Sequence, residues 1–396
     1  MAKSWNYWKS TISICAVYRV MFFHVLLTSN CNLQCKYCFG ESLDDFDEDF
    51  GEDIEVDYNL PRNLNYDIAL LDKFCRQDPD CTLTFYGGEP LMQADKIREI
   101  MDKVTSKQYM MQTNGLLLHK LEPKYVNRFH TLLVSIDGEE YLTDHYRGEG
   151  TYQKVIANLK HIKQNNYPGE LIARMTIMEQ TDIEKQVKYL LHNKDFSFIS
   201  IHWQLNAGFW GNDYYRRNFE EWIKTSYIPG VDVLTHFWVD YMQKEGKVLK
   251  LYPILGIANS LLHGETNCLM RCGSGWINYS IQMDGQILPC PTMWGMKAYY
   301  LGHIKDADPL QLPKMFVQEK PCSQCEILGV CGGRCLYTNI TKRWTDEAYS
   351  KVCHTVQKLI NSVQAEIPRI KQLIKEGKLS LQDFDYVKYN GAEIIP

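Results

Sequence analysis

Between residues 21 and 205, short β-rich runs alternate with longer stretches of helical apolar spacing. Residues 21–27, 81–86, 109–112, 132–136, 171–177 and 199–205 read as strands, and 66–76, 96–105, 121–128, 150–165 and 183–192 as helices. Strands interleaved with helices of about ten to fifteen residues form βα units, which assemble into a parallel sheet. Six such units predict an α/β fold, an open and partial (β/α)6 barrel. In parallel α/β architectures ligands gather at the carboxyl ends of the strands. Gly87-Gly88-Glu89-Pro90, Thr113-Asn114-Gly115 and Asp137-Gly138 all fall at such ends.

Directly after the first strand comes Cys31-Asn32-Leu33-Gln34-Cys35-Lys36-Tyr37-Cys38, a C-x3-C-x2-C run. Three thiolates this close can hold three irons of a cubane cluster and leave the fourth without a protein ligand, whereas ordinary four-iron clusters carry four cysteines. A partial zinc site or buried free thiols are the alternatives on spacing alone. The chain has 14 cysteines among 396 residues, 45% of them hydrophobic and 23% charged. That length supports two domains with substantial cores, so disulfide staples are not needed. Short metal-type spacings then point to metal or cluster ligation in a reducing cytoplasm. A net charge of −5 gives no reason to expect nucleic acid or an anionic membrane as partner. Residues 11–27 are fairly apolar, but Arg19 and His24 interrupt them and no small-residue cleavage site follows. They fit neither a signal peptide nor a membrane span. Residues 1–20 read as an appendage, with Met21 as an alternative start.

A second cysteine array fills the C-terminal third. Cys272 is followed by Gly285 and Cys290, then by Cys322-x2-Cys325-x5-Cys331-x3-Cys335 and finally Cys353. Residues 277–283 and 286–288, joined through Asp284-Gly285, carry a hairpin signal that aims Cys290 back toward Cys272. With Cys268 the array numbers eight cysteines, the ligand count of two fully coordinated four-iron clusters. Two four-cysteine zinc sites are the rival. Cys15, Cys75 and Cys81 match no motif and read as structural.

With the aromatic Tyr37 before its third cysteine, the first run resembles the C-x3-C-x-aromatic-C signature of radical S-adenosylmethionine (SAM) enzymes. The resemblance implies a SAM-ligated [4Fe-4S] cluster on Cys31, Cys35 and Cys38, and reductive cleavage of SAM to a 5′-deoxyadenosyl radical. It also assigns SAM contacts: Gly88 and Glu89, of a GGEP motif, to the amino group; Ser135 to the ribose; Arg147 to the carboxylate. Asn114, with Gln112 and Thr113, resembles the family's third-strand QTNG and would line the same cavity. Without the resemblance, residues 87–90 are a tight turn, Ser135 a strand serine and Arg147 a loop arginine of the usual surface kind. The C-terminal array is similar to the SPASM extension of these enzymes. By that likeness Cys268, Cys272, Cys290 and Cys335 hold an inner auxiliary cluster, and Cys322, Cys325, Cys331 and Cys353 an outer one. Cys268 lies outside the seven core cysteines of that array; without it the inner cluster keeps an open iron.

The expected organisation is an appendage (1–20), a radical SAM core (21–215), a helical bridge (216–265), a SPASM domain (266–360) and a C-terminal helix and tail (361–396). The aromatic-rich residues 206–265 read as helical core. Residues 41–57 contain ten acidic side chains and no basic one, which suits either a solvated loop or a rim beside the site. The implied function is oxidative modification of a peptide or protein side chain, through a crosslink, a thioether or related C–H chemistry. The implied partners are a peptide or protein substrate, a reductant such as ferredoxin or flavodoxin, and a separate leader-recognition protein, because Cys31 leaves no room for a leader-binding domain ahead of it. Anaerobic sulfatase maturation to formylglycine is an alternative. Against it, Pro291 stands where those enzymes carry a proposed aspartate base, leaving His303 or another acid to take the proton. A non-catalytic iron–sulfur electron carrier is a further alternative, though it would need no SAM pocket.

Overall fold

The computed structural model describes residues 20–38, 55–315, 320–391, 393 and 395–396, with the backbone alone for Asn212. Residues 1–19 of the appendage, including Cys15, and residues 41–54 of the acidic stretch lie outside the described residues. Six strands follow in order: β1 (Phe22–Thr28), β2 (Thr82–Gly87), β3 (Gln108–Thr113), β4 (Phe129–Ser135), β5 (Glu170–Ile177) and β6 (Ser200–Leu205). Each pairs in parallel with the next, as the alternating sequence predicts. A two-residue strand, β7 (Lys250–Leu251), extends the β6 edge.

The other edge was not legible. β8 (Asn278–Ile281) pairs in parallel with β1, and β9 (Ile287–Leu288) pairs antiparallel with β8. The expected hairpin is therefore present and also continues the barrel sheet, giving nine strands in the order β7-β6-β5-β4-β3-β2-β1-β8-β9.

Helices of eight residues or more are α1 (Ile68–Cys75), α2 (Ala94–Lys103), α3 (Glu140–Arg147), α4 (Thr151–Gln164), α5 (Ile183–His192), α6 (Ile228–Glu245), α7 (Tyr252–His263) and α8 (Asp346–Lys375). Local chemistry fixes several starts: Asp67 caps α1 through the Ala69 N–H, and Asp182 caps α5 through that of Lys185. Among the described residues no helix is long and apolar enough to cross a membrane.

Alternate strand residues divide the sheet into two faces. Phe23, Val25, Leu83, Phe85, Met111, Val134, Ala173 and Trp203 belong to the main apolar core. The opposite face carries His24, Thr84, Tyr86, Ser135, Arg174 and His202 over a small apolar floor of Met110, Leu133, Ile172 and Tyr252. In a flat sheet β2 and β5 would stand roughly 14 Å apart. Yet the Arg174 charge on β5 acts on both Tyr86 on β2 and His24 on β1. The sheet curls around this polar face, which forms the lumen of the partial barrel.

Candidate active site

The C-x3-C-x2-C loop is seated on the end of β2. Gly88 N–H donates to Thr28 O (2.8 Å) and Glu89 N–H to Asn30 O (2.9 Å). A Cβ on Gly88 would come within 2.3 Å of Asn30 O, and one on Gly87 within 2.3 Å of Thr28 O. Both glycines are thus demanded by the close passage of the backbone that leads to Cys31. Glu89 is fully buried. Its carboxylate accepts from the Leu91 N–H (3.0 Å), the Thr113 hydroxyl (2.8 Å) and the Asn114 N–H (2.8 Å). Burial nonetheless pushes it up to about 7. Asn114 Nδ2 donates to Asn32 Oδ1 (2.8 Å) and lies 3.8 Å from Cys31 Sγ. Glu89, Asn114 and Cys31 form one connected unit.

A second unit holds the other end of the loop. Arg147 is 6% exposed and ends helix α3; the sequence had suggested a loop. Its Nε and Nη2 donate to the two Asp137 oxygens at 2.8 and 2.9 Å. The Tyr37 hydroxyl donates to the same carboxylate, which also accepts from the Thr176 N–H at 2.9 Å. The guanidinium lies 5.4 Å from the Tyr37 ring centroid. Burial alone would lower its pKa, but the Asp137 charge and hydrogen bond together with the neighbouring Tyr37 and Cys35 raise it. Nη1 has no protein partner among the described residues, so one prong of the fork remains for an anion. Asp137, the hub of this unit, was missed: the sequence offered it only as a strand-end Asp-Gly. Ser135 sits between the two units, at the end of β4 in register with Arg174.

The cysteines gather into sets. The Cys31, Cys35 and Cys38 thiols act electrostatically on one another, and burial pushes Cys35 up to about 11. Cys272 and Cys290 each feel Cys335, and all three pack on the apolar cluster around Met270, Met293 and Tyr337. Cys322, Cys325, Cys331 and Cys353 form a third set by the same mutual influence. Burial pushes both Cys290 and Cys331 up to about 12. Desolvated thiols crowded this way resist ionisation until cationic metal takes them as thiolates. Among the described residues no three His, Cys, Asp or Glu side chains converge tightly enough for a single metal ion.

Cys268 Sγ lies 3.5 Å from Ser260 Oγ, 3.5 Å from Arg271 Nη1 and 4.0 Å from Glu265 Oε2. His303 is held in the hairpin: its Nε2 bonds Asp284 O (3.0 Å) and its Nδ1 accepts from the Lys305 N–H (3.1 Å). Pro291, beside Cys290, has no side-chain group that could take a proton. Sequence reasoning also missed Tyr86 and Arg174. The half-buried Tyr86 lies within electrostatic reach of both Cys290 and Cys38, and Arg174 within reach of Cys272. The lumen thus joins the first cysteine set to the second. A period-two reading from Thr82 through Tyr86 was the available signal.

A family model described as a 4Fe-4S single cluster domain matches residues 18–156. The cysteine-type anaerobic sulfatase-maturating enzyme of Clostridium perfringens is 20% identical over 88% of this chain and 97% of its own length. The radical SAM cyclopropyl synthase TigE of Paramaledivibacter caminithermalis is 22% identical over 79% of this chain and 67% of its own. The 7-carboxy-7-deazaguanine synthase of Methanocaldococcus jannaschii is 30% identical over 43% of this chain and 68% of its own. The solved structure of native anSMEcpe with bound AdoMet and the Cp18Cys peptide superposes with a TM-score of 0.65. It is 17% identical and covers 89% of this chain and 99% of that one. The chain belongs to the radical SAM enzyme family, whose chemistry rests on a [4Fe-4S] cluster and SAM.

Proposed function

We propose that this chain oxidatively modifies a peptide or protein side chain by radical SAM chemistry. In this reading Cys31, Cys35 and Cys38 hold the SAM-binding cluster, with Gly88, Glu89, Asn114, Ser135 and Arg147 around SAM. Cys272, Cys290 and Cys335 belong to an inner auxiliary site, and Cys322, Cys325, Cys331 and Cys353 to an outer one. Bound there, cluster and SAM supply reductive C–S cleavage and a 5′-deoxyadenosyl radical able to take hydrogen from carbon.

The observation that carries the reading is the pair of polar units flanking the first cysteine set. Glu89 offers an acceptor for an ammonium. Arg147, oriented by Asp137, offers a planar donor for a carboxylate. An α-amino acid headgroup carries an ammonium and a carboxylate on one carbon, which calls for an acceptor and a donor of this kind. In this reading the partial barrel must keep water and stray hydrogen donors from the reacting carbon, and positioning that carbon is the protein's task. Peptide substrates are supported by the peptide-bound relative.

Formylglycine formation is the second reading, favoured by the full-length likeness to a sulfatase-maturating enzyme and opposed by Pro291. One experiment separates them. Anaerobic protein is given dithionite, SAM and deuterated peptides, drawn from sulfatase motifs and from short reading frames beside this gene. Deuterium should pass into 5′-deoxyadenosine, and mass spectrometry should show a peptide that has lost two hydrogens. An aldehyde in place of a thiol or hydroxyl would instead favour the maturase. No 5′-deoxyadenosine with any peptide would overturn both.

A further inference from the structure

Gly332, Gly333 and Arg334 separate Cys331 from Cys335, and all three are left-handed, at φ 70°, 95° and 58°. The turn follows the short helix Leu328–Cys331. It presents consecutive backbone N–H groups, a concavity suited to an anion. Burial pushes the Cys331 thiol up, and the Gly333 and Arg334 N–H groups bonded to it pull it back. Glycine enters the left-handed region freely, whereas a residue with a Cβ is strained there. Arg334 is the strained member of this turn.

Its guanidinium is only partly used by the protein. Nη2 donates to Leu205 O, at the end of β6, at 3.4 Å. Nε and Nη1 are buried and have no hydrogen-bond partner among the described residues. Buried donors are satisfied in nearly all native structures, so two on one always-charged group call for an acceptor. The guanidinium charge bears on Tyr227, Tyr349 and Cys353. Both phenols are engaged elsewhere: the Tyr349 hydroxyl donates to Thr338 O at 2.9 Å, and the Tyr227 oxygen accepts from Trp203 Nε1 at 3.2 Å. That leaves Cys353, where burial pushes the thiol up and the Arg334 charge opposes it. One residue thus bears on two members of the outer set, on Cys331 through its N–H and on Cys353 through its side chain.

We propose that Arg334 is a positioning residue for a cluster at the outer set, donating hydrogen bonds through Nε and Nη1 and stabilising its reduced form. This rests on the cluster reading above. Thiolate and sulfide sulfurs at the outer set supply the acceptors that those two donors call for. Each electron the set takes from a reductant adds one negative charge beside the guanidinium, and a buried cation favours that state. Net charge, hydrogen bonds to sulfur and solvent exposure are the levers that set such potentials. The guanidinium stays charged throughout, so no proton moves with the electron. Lys342 also acts on the outer set, through Cys322, but it is exposed, and solvent and salt screen it.

The test uses the full chain carrying Cys31→Ala, Cys35→Ala and Cys38→Ala, reconstituted with iron and sulfide, so that only the C-terminal clusters titrate. Electron paramagnetic resonance follows their reduction by dithionite at poised potentials, and the signal altered by Cys353→Ser belongs to the outer set. At equal iron content, Arg334→Gln should lower the ratio of reduced to oxidised outer cluster about tenfold at a fixed potential, a downward shift of about 59 mV. The other signal should not move, and Arg334→Lys, which keeps the charge, should shift the outer one less. In protein labelled with 15N-arginine, the outer signal should carry a 15N hyperfine coupling that Arg334→Lys abolishes. That coupling reads the parent side chain even if the Gln variant loses iron. An unmoved midpoint in Arg334→Gln, an equal shift in Arg334→Lys, an equal shift of both signals, or no 15N coupling dependent on Arg334 would overturn the proposal. A parent chain without iron, or no signal altered by Cys353→Ser, would instead overturn the cluster reading at the outer set.

Discussion

Glu89 is enclosed at the end of β2, and burial holds its carboxyl near 7 in spite of three donated hydrogen bonds. Its folded pKa is raised above the unfolded one, so the proton is bound more tightly in the folded chain. The stability this proton contributes is complete below the ordinary glutamate range and is lost as pH rises through about 7. Glu89→Gln should flatten that part of the profile, read as denaturant midpoints from mildly acidic to mildly alkaline pH; an equally steep fall in the variant would contradict this. If the SAM ammonium lies against this carboxylate, SAM binding near neutrality should release a proton. Calorimetry in buffers of different ionisation enthalpy would detect the release, and Glu89→Gln should abolish it. Gly88 gives a steric counterpart. A Cβ there meets backbone oxygens of Asn30 and Ser29 at 2.3 and 2.6 Å, which cannot rotate away as a side chain can. Gly88→Ala should cost about 1–3 kcal/mol of stability and lower iron retention at the first cysteine set. Full retention with unchanged stability would refute the seat described for that loop.

Among the elements, strands β1 to β6 were legible because their apolar runs are short, punctuated and interleaved with helical spacing. The β1–β8 pairing was not, since it joins residues 256 apart in sequence, Phe23 with Tyr279 or His24 with Ser280, and no local pattern specifies a partner that distant. Helix α3 escaped notice because eight mostly polar residues give a weak periodic signal, and with it went the burial of Arg147. The C-terminal helix was expected within residues 361–396, but α8 begins at Asp346, capped by the Thr345 hydroxyl accepting from the Ala348 N–H at 3.3 Å. That earlier start puts Cys353 on a rigid helix. Thr345→Ala should cost about 1 kcal/mol, measured by urea unfolding, and loosen iron at the outer set before the inner one. An unchanged midpoint would show that tertiary packing alone holds the helix start.

At the scale of the molecule, the short spacing of Cys31, Cys35 and Cys38 keeps those thiols together, because a short loop cannot carry neighbouring ligands far apart. The grouping of the C-terminal cysteines came instead from the family resemblance and not from spacing. Residues drawn in by tertiary structure were silent: Tyr86 and Arg174 in the lumen, and the tail from residue 379 onward, in which the sequence offered no chemistry. The tail nevertheless buries Glu393 against Arg271, behind the loop that carries Cys272. Glu393→Ala leaves that arginine buried without its carboxylate and should cost about 3–5 kcal/mol, seen as a lower denaturant midpoint. A loss within that of a surface substitution would mean the tail is not integral to the fold. The central claim, that the first cysteine set carries the cluster at which SAM is cleaved, is tested most directly by 5′-deoxyadenosine formation in the reduced, reconstituted full chain and in its Cys35→Ala variant. The full chain should form 5′-deoxyadenosine and methionine, and the variant neither, while keeping about eight irons on its C-terminal cysteines. Undiminished 5′-deoxyadenosine from the variant would contradict the account.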